Sequence, residues 1–182
     1  MKILGICGSV RDGSFNRGLL RAAQEEAPAG VEIEIYNLGE IQAYNADVEK
    51  VEAPASVTAF KEAIAAADAM LIACPEYNGS FTGVLKNALD WASRPASTQP
   101  FSGKPAALVG ASGGPSGTAR AQAAILPVLM ALGVIVMPKP GMMVRNSASL
   151  FDENVNLTDQ DTRDRLRDQV GALVAFAKKI NS

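Results

Sequence analysis

The sequence predicts a doubly wound α/β domain built on a parallel sheet. Short, almost wholly apolar runs alternate with segments of helical period, and the most apolar runs end at turns rich in glycine, proline and serine. Parallel strands covered on both faces read as continuous apolar runs, and each needs a helical crossover back to the same edge. The 182 residues, 1–182, form one domain, within the usual range of about 100 to 200.

The first strand, Lys2 to Gly8, is apolar until it meets Ser9. Asn16 to Ala27 then sets Leu19, Leu20, Ala23 and Ala27 on one helical face, closed by Pro28 and Gly30. Val31 to Leu38 alternates Val31, Ile33 and Ile35 with Glu32 and Glu34, the pattern of a half-buried strand toward an edge. Gly39 to Pro54 is acidic, shows no sustained period and is expected to be a long loop. Ser56 is expected to cap a helix with Val57, Phe60, the Lys61 stem and Ile64 on one face and Asp68 at its end.

Ala69 to Cys74 is a third buried strand, cut off by Pro75. Gly83 to Arg94 places Leu85, Ala88, Leu89 and Ala92 in a helical stripe, and Pro95 to Gly103 links it to a fourth strand, Lys104 to Ala111. A helix from Thr118 to Leu132, kinked at Pro127, stops at Gly133 before a fifth strand, Val134 to Met137. Thr158 with Asp161 resembles a capping box, and Leu166, Val170, Leu173, Ala177 and Ile180 stripe the last helix. The sum is five strands and five helices.

Composition excludes several kinds of chemistry. Seventeen Lys and Arg against nineteen Asp and Glu leave a formal charge of −2, too little field to hold a nucleic-acid backbone. The chain has no histidine, which removes His-based acid–base catalysis, Ser-His and Cys-His nucleophiles and His-containing metal sites. No metal site is expected. Cys7 and Cys74 lack the spacing of a redox motif and are too few for a disulfide framework, so a reducing compartment is expected. They end neighbouring strands, so a redox pair is conceivable, but burial as small apolar residues is the favoured reading. No signal-peptide core is expected from Ile3 to Cys7, and the uncharged stretch from Ala121 to Pro138 is interrupted by Gln122, Pro127 and Gly133. Export and membrane insertion are not expected; a cytoplasmic location is.

In a doubly wound sheet, ligands bind beyond the carboxyl ends of the strands, which here are the loops after the first, third and fourth strands. The first loop runs from Gly8 to Arg17 into a helix. Ser9, Ser14 and Asn16 add donors to the helix N-terminus and Arg11 adds a charge that can fork onto phosphate. Gly8 and Gly13 have Walker spacing, but Ser14-Phe15 stands in place of Lys-Ser/Thr, and no dinucleotide fingerprint follows the strand. An ordinary turn capped by Ser14 is the alternative. The second loop, Pro75 to Gly83, aims main-chain groups along a tight path that suits the polar edge of a flat heterocycle, with Tyr77 and Asn78 adding contacts. Its alternative is a turn capped by Ser80. The third loop, Ser112 to Gly117, has three glycines that let a ligand approach the main chain, or form a flexible turn.

Together these residues resemble the NAD(P)H-dependent FMN reductases, a family that includes bacterial quinone, azo-dye and chromate reductases. The resemblance rests on Gly8-Ser-Val-Arg11-x-x-Ser14-Phe-Asn16-Arg17, on Pro75-Glu-Tyr-Asn-Gly with Gly83-x-Leu-Lys86-Asn87-Ala-Leu-Asp90-Trp91, and on Ser112-Gly-Gly, and spans most of the chain. It implies a flavodoxin-like sheet of strand order 2-1-3-4-5 with helices on both faces. It implies FMN with its phosphate on Ser9, Arg11, Ser14, Phe15 and Asn16. Pro75, Glu76, Tyr77, Asn78 and Gly79 would line the isoalloxazine, and Ser112 and Gly114 its other edge. A homodimer with the flavin near the subunit boundary is implied too, with residues 39–54 as a candidate contact. A homotetramer is left open, because no aromatic stands in Thr118 to Ala123 where some members carry one.

A flavin accepts hydride by its own chemistry, so the protein need only hold it and leave one face open. No catalytic side chain is therefore expected. The implied reaction is ping-pong hydride transfer from NADPH or NADH through FMN to a quinone-like acceptor. A flavodoxin-type electron carrier is the alternative, disfavoured by the small net charge and the lack of an aromatic in the third loop. A receiver domain of similar topology would need acidic residues where Gly8-Ser9 and Cys74-Pro75 stand.

Overall fold

In the computed structural model, which describes residues 1–182, the apolar runs lie side by side as parallel strands. The elements in chain order are β1 (Lys2–Cys7), α1 (Phe15–Glu25), β2 (Glu32–Asn37), α2 (Ala46–Val51), α3 (Ala55–Ala66), β3 (Ala69–Ala73), β4 (Glu76–Tyr77), β5 (Ser80–Phe81), α4 (Gly83–Ala92), β6 (Pro105–Ala111), α5 (Ala119–Ala131), β7 (Ile135–Val136), β8 (Met142–Val144) and α6 (Gln160–Ile180). The main sheet has the order β2-β1-β3-β6-β7, all pairs parallel, with β8 also paired to β6. This is the expected 2-1-3-4-5 order of a flavodoxin-like sheet, with β2 at an edge.

Successive side chains of a strand point to opposite faces, so the continuous apolar runs build two cores. Ile3 and Cys7 of β1, Leu71 of β3 and Val109 of β6 pack with Leu19, Leu20, Leu166 and Val170 of α1 and α6. Leu4 and Ile6, Met70 and Ile72, and Leu108 face the other way, onto Phe60 and Ile64 of α3, Leu85 and Trp91 of α4, and Ile125 of α5. Cys7 and the strand-end Cys74 fall in different cores, on opposite sides of the sheet, and both are buried free thiols. A redox pair is ruled out by that placement.

Several local expectations are corrected. The segment from Gly39 to Pro54 is not one loop: it carries part of a 3₁₀ turn, Leu38–Glu40, and α2, capped by the Asn45 side chain, which accepts from the Asp47 N–H at 2.9 Å. Trp91 Nε1 and Asn87 Nδ2 pin this segment through the Gln42 carbonyl. Ser56 does not cap α3, which begins at Ala55 behind Pro54. Asp68 does not end that helix but accepts from the Lys2 N–H beside the sheet. The capping box at Thr158 is replaced by Asp159, which accepts from the Thr162 N–H at 2.9 Å, and Ile180 is 37 % exposed. The fifth sheet position is made of two pieces, because β7 pairs the start of β6 and β8 its end. No helix is long and apolar enough to cross a membrane; the uncharged stretch divides into α5, a turn at Gly133 and β7.

Helix α1 is pressed so closely against the segment before α6 that a Cβ on Gly18 would meet the Val155 carbonyl oxygen, and Phe151 at 2.9 Å. Gly→Ala inside an exposed helix ordinarily stabilises by about 1 kcal/mol. Here Gly18→Ala is expected to destabilise by roughly 1–3 kcal/mol through overpacking. Urea unfolding read by circular dichroism checks the sign.

Candidate functional site

The carboxyl ends of β1, β3 and β6 open onto one cleft of about 160 Å³. The first loop contributes Ser9, Arg11, Ser14, Phe15 and Asn16, the second Pro75, Glu76 and Tyr77, and the third Ala111, Ser112 and Gly113. Nine of the twelve residues singled out from the sequence thus line one cavity. Asn78 and Gly79, at a turn tip, are outside the lining, as is Gly114, whose carbonyl accepts from the Asn146 and Gly117 N–H groups. Ala111 and Gly113 were not foreseen; neither has a polar side chain to betray it.

Ser14 caps α1, accepting from the Arg17 N–H at 3.4 Å. The main-chain N–H groups of Ser14, Phe15 and Asn16 have no acceptor within the chain, so three donors and the positive end of the helix dipole remain unpaired. Arg11 lies beside them with Nη2 on the Gly13 carbonyl at 2.6 Å. Behind the loop, Arg17 Nε is buried without a partner, and its Nη2 makes only 3.5 Å contacts to the Ser9 carbonyl and Asn37 Oδ1. This donor set is complementary to a phosphate dianion.

The side chains nearest the cleft mostly hold one loop to another. Asn16 donates through Nδ2 to the Ala111 carbonyl at 2.9 Å and accepts from the Ala111 N–H at 3.0 Å, joining the first loop to the end of β6. Its side-chain amide is therefore engaged with β6, and its main-chain N–H has no acceptor within the chain. The Phe15 ring rests on Phe151 with centroids 5.0 Å apart. Thr82 donates to the Gly8 carbonyl at 2.6 Å while capping α4 through the Leu85 N–H.

The tight path of the second loop is a hairpin with a two-residue turn, β4 against β5. Asn78 and Gly79 turn it with φ of 53° and 74°, the left-handed pair that a tight hairpin needs. Asn-Gly between Tyr77 and Ser80 is the sequence signal for it. Glu76 leans from β4 onto α5. Its Oε2 accepts from the N–H groups of Arg120 at 3.0 Å and Ala121 at 3.2 Å, and its Oε1 from Arg120 Nε at 2.7 Å. Burial pushes the Glu76 carboxyl up, but the Arg120 guanidinium and these N–H groups outweigh burial and hold it below the ordinary range. The carboxylate therefore stays ionised and serves as the cap that Thr118 does not supply. Burial also pushes the Cys7 thiol up, and the Cys74 thiol up to about 12, so neither is a nucleophile at neutral pH.

Residues 1–149 match the family described as NADPH-dependent FMN reductase. The chain belongs to the NADPH-dependent FMN reductase family. It is 46 % identical over 180 residues to an NAD(P)H-dependent FMN reductase of Pseudomonas aeruginosa, covering 99 % of this chain and 97 % of that one. It is 39 % identical over 178 residues to a 2-hydroxy-1,4-benzoquinone reductase of a Burkholderia species, covering 98 % and 97 %. Among solved structures, the flavoenzyme NAD(P)H:(acceptor) oxidoreductase of Paracoccus denitrificans superposes with a TM-score of 0.89 at 35 % identity, over 98 % of this chain and 97 % of that one. The protein is accordingly an FMN-dependent NAD(P)H oxidoreductase, and FMN is the group whose phosphate the first loop must be tested against. The free N–H groups at the start of α1 and the charge of Arg11 fit it.

Because the Asn16 amide holds β6 rather than facing the cleft, Asn16→Ala leaves the Ala111 N–H and carbonyl unpaired. Loss of about 1–3 kcal/mol of stability is expected, together with weakened flavin binding. Thermal unfolding of the flavin-free protein checks the first effect and fluorescence titration with FMN the second.

Proposed function

We propose that the cleft holds FMN with its phosphate on the unpaired N–H groups of Ser14, Phe15 and Asn16 and on Ser9 and Arg11. Its ring lies between the Pro75–Gly79 hairpin and the Ser112–Gly114 turn. The observation that carries this reading is the convergence of the three loops on one cavity whose α1 end has free N–H donors and a cation. When bound, FMN supplies the hydride chemistry, accepting from NAD(P)H and then delivering to a small acceptor of the quinone class in two successive half-reactions. The relatives named for quinone reduction support that acceptor class.

The chain's own residues bind and orient. The first loop fixes the phosphate, the hairpin main chain borders the ring, and Tyr77, 57 % exposed, stands beside the open mouth. Glu76 is the only carboxylate lining the cleft, and its oxygens are taken by Arg120 and Ala121. The proton that accompanies hydride to a quinone therefore comes from solvent across the mouth, and no side chain serves as general acid. The same reading makes the enzyme cytoplasmic and homo-oligomeric, at least a dimer.

Anaerobic addition of NADH and of NADPH to the FMN-loaded protein is expected to bleach the flavin absorbance with at least one of them. Persistent oxidised absorbance with both counts against the proposal. Arg11→Ala is expected to weaken FMN binding about tenfold or more, as loss of a charge-assisted phosphate contact should, while leaving the unfolding midpoint of the flavin-free protein in place. Native protein is expected to be inert to thiol reagents at neutral pH, with both cysteines reacting only after unfolding; a labelling assay in and out of denaturant checks this.

A further inference from the structure

One cation, Arg120, is bonded to the cleft residue Glu76 without itself lining the cleft. Arg120, at the start of α5, is 67 % exposed along its side chain and lies across the hairpin tip, its Cδ and Nε 3.9 and 4.0 Å from where a Cβ on Gly79 would stand. Its position is fixed rather than free. Nε and Nη2 both bond Glu76 Oε1, at 2.7 and 2.5 Å, and Glu76 is itself 6 % exposed and anchored on the N–H groups of Arg120 and Ala121. Nη1 has no partner within the chain.

The charges do not cancel there. Glu76 contributes one negative charge against the Arg120 guanidinium and the positive end of α5, worth roughly half a charge. The mouth is left weakly positive, with a guanidinium edge held in one orientation and facing solvent. A guanidinium so prearranged loses little freedom on meeting a planar or tetrahedral oxyanion.

We propose that Arg120 anchors a phosphate of the nicotinamide donor, with Glu76 as the positioning residue that aims it. This rests on the flavin site proposed above. Of the two substrates, a quinone carries no obligatory charge, whereas the dinucleotide carries a pyrophosphate and, in NADPH, a ribose phosphate. Arg11, the cation that lines the cleft, belongs to the first loop. Gly79, at φ 74°, brings the hairpin tip within ordinary van der Waals reach of the Arg120 stem.

The test uses FMN-loaded protein and compares wild type with Arg120→Ala and Arg120→Lys. The main-chain N–H that caps Glu76 survives both substitutions. In Arg120→Ala the donor KM is expected to rise about tenfold, the scale of one exposed charge-assisted bond, with kcat at saturating donor and the quinone KM within about twofold. Arg120→Lys should recover part of the donor KM. Independently of turnover, calorimetric binding of 2′,5′-ADP and of 5′-ADP should weaken in Arg120→Ala. Weakening confined to 2′,5′-ADP and to NADPH assigns the ribose phosphate, and equal weakening of both probes assigns the pyrophosphate. Unchanged binding of both probes with unchanged donor KM overturns the proposal, as does loss of FMN from Arg120→Ala. Wild-type protein that holds FMN but oxidises neither dinucleotide overturns the reductase reading itself, a result distinct from either.

Discussion

The site depends on a constraint that a parallel sheet does not satisfy by itself: the loops leaving the carboxyl ends of β1, β3 and β6 must be held against one another. Strand pairing ends where these loops begin, so something else has to close the triangle. Three polar side chains do so. Asn16 ties the first loop to the end of β6, Thr82 ties the start of α4 to Gly8, and Glu76 ties the hairpin to the start of α5. The side chains of Asn16 and Thr82 are buried and hydrogen-bonded, the condition under which a buried polar group specifies geometry instead of destabilising it.

This arrangement divides the work between side chain and main chain. Side chains that the sequence offers as ligands are largely engaged in positioning loops, and the groups left over for a ligand are main-chain N–H donors at the start of α1. Preorganised backbone donors need no reorganisation when an anion arrives. A chain without histidine is thus suited to a cofactor that performs the electron chemistry, because the protein's task reduces to placing donors and excluding nothing from one open face. Glu76 illustrates the point. It borders the cleft, yet its ionised carboxylate is directed into the start of α5, where it fixes the position of β4.

Much of this was legible in the sequence. The two-sided burial of β1, β3 and β6 follows from their unbroken apolar runs, and the stripes Leu85-Ala88-Leu89-Ala92 and Leu166-Val170-Leu173 are the faces that pack. The three loops were legible because glycine, proline and serine interrupt apolar strands there. What escaped was set by tertiary contact. Helix α2 buries none of its residues and has no apolar stripe to announce it. Ser56 reads as a cap, but the turn at Pro54 starts α3 two residues earlier. The hairpin at Asn78-Gly79 has strands of two residues each, too short for alternation to register. The direction of the Asn16 and Glu76 side chains depends on partners 95 and 44 residues away.

The least legible stretch, residues 137–147, turns out to support the third loop. β7 pairs with β6 only at Pro105 and Ala106, and the edge is resumed by β8 from Val109 to Ala111. Between them β6 lacks a strand neighbour on this side, and two buried glutamines flank the break: Gln169 donates to the Leu108 carbonyl at 3.4 Å and Gln122 to the Met142 carbonyl at the start of β8 at 2.9 Å. Splitting the strand has a consequence for the cleft. Because β8 reaches the end of β6 and the chain continues beyond it, Val144 accepts from the Ser112 N–H, Ser147 donates twice to the Ser112 carbonyl, and Asn146, in the left-handed region at φ 47°, donates to Gly114. A continuous fifth strand ending at Met137 would leave the main chain of Ser112 unpaired beside the cleft. The interrupted one fixes the third loop from behind and leaves Gly113 facing the cavity.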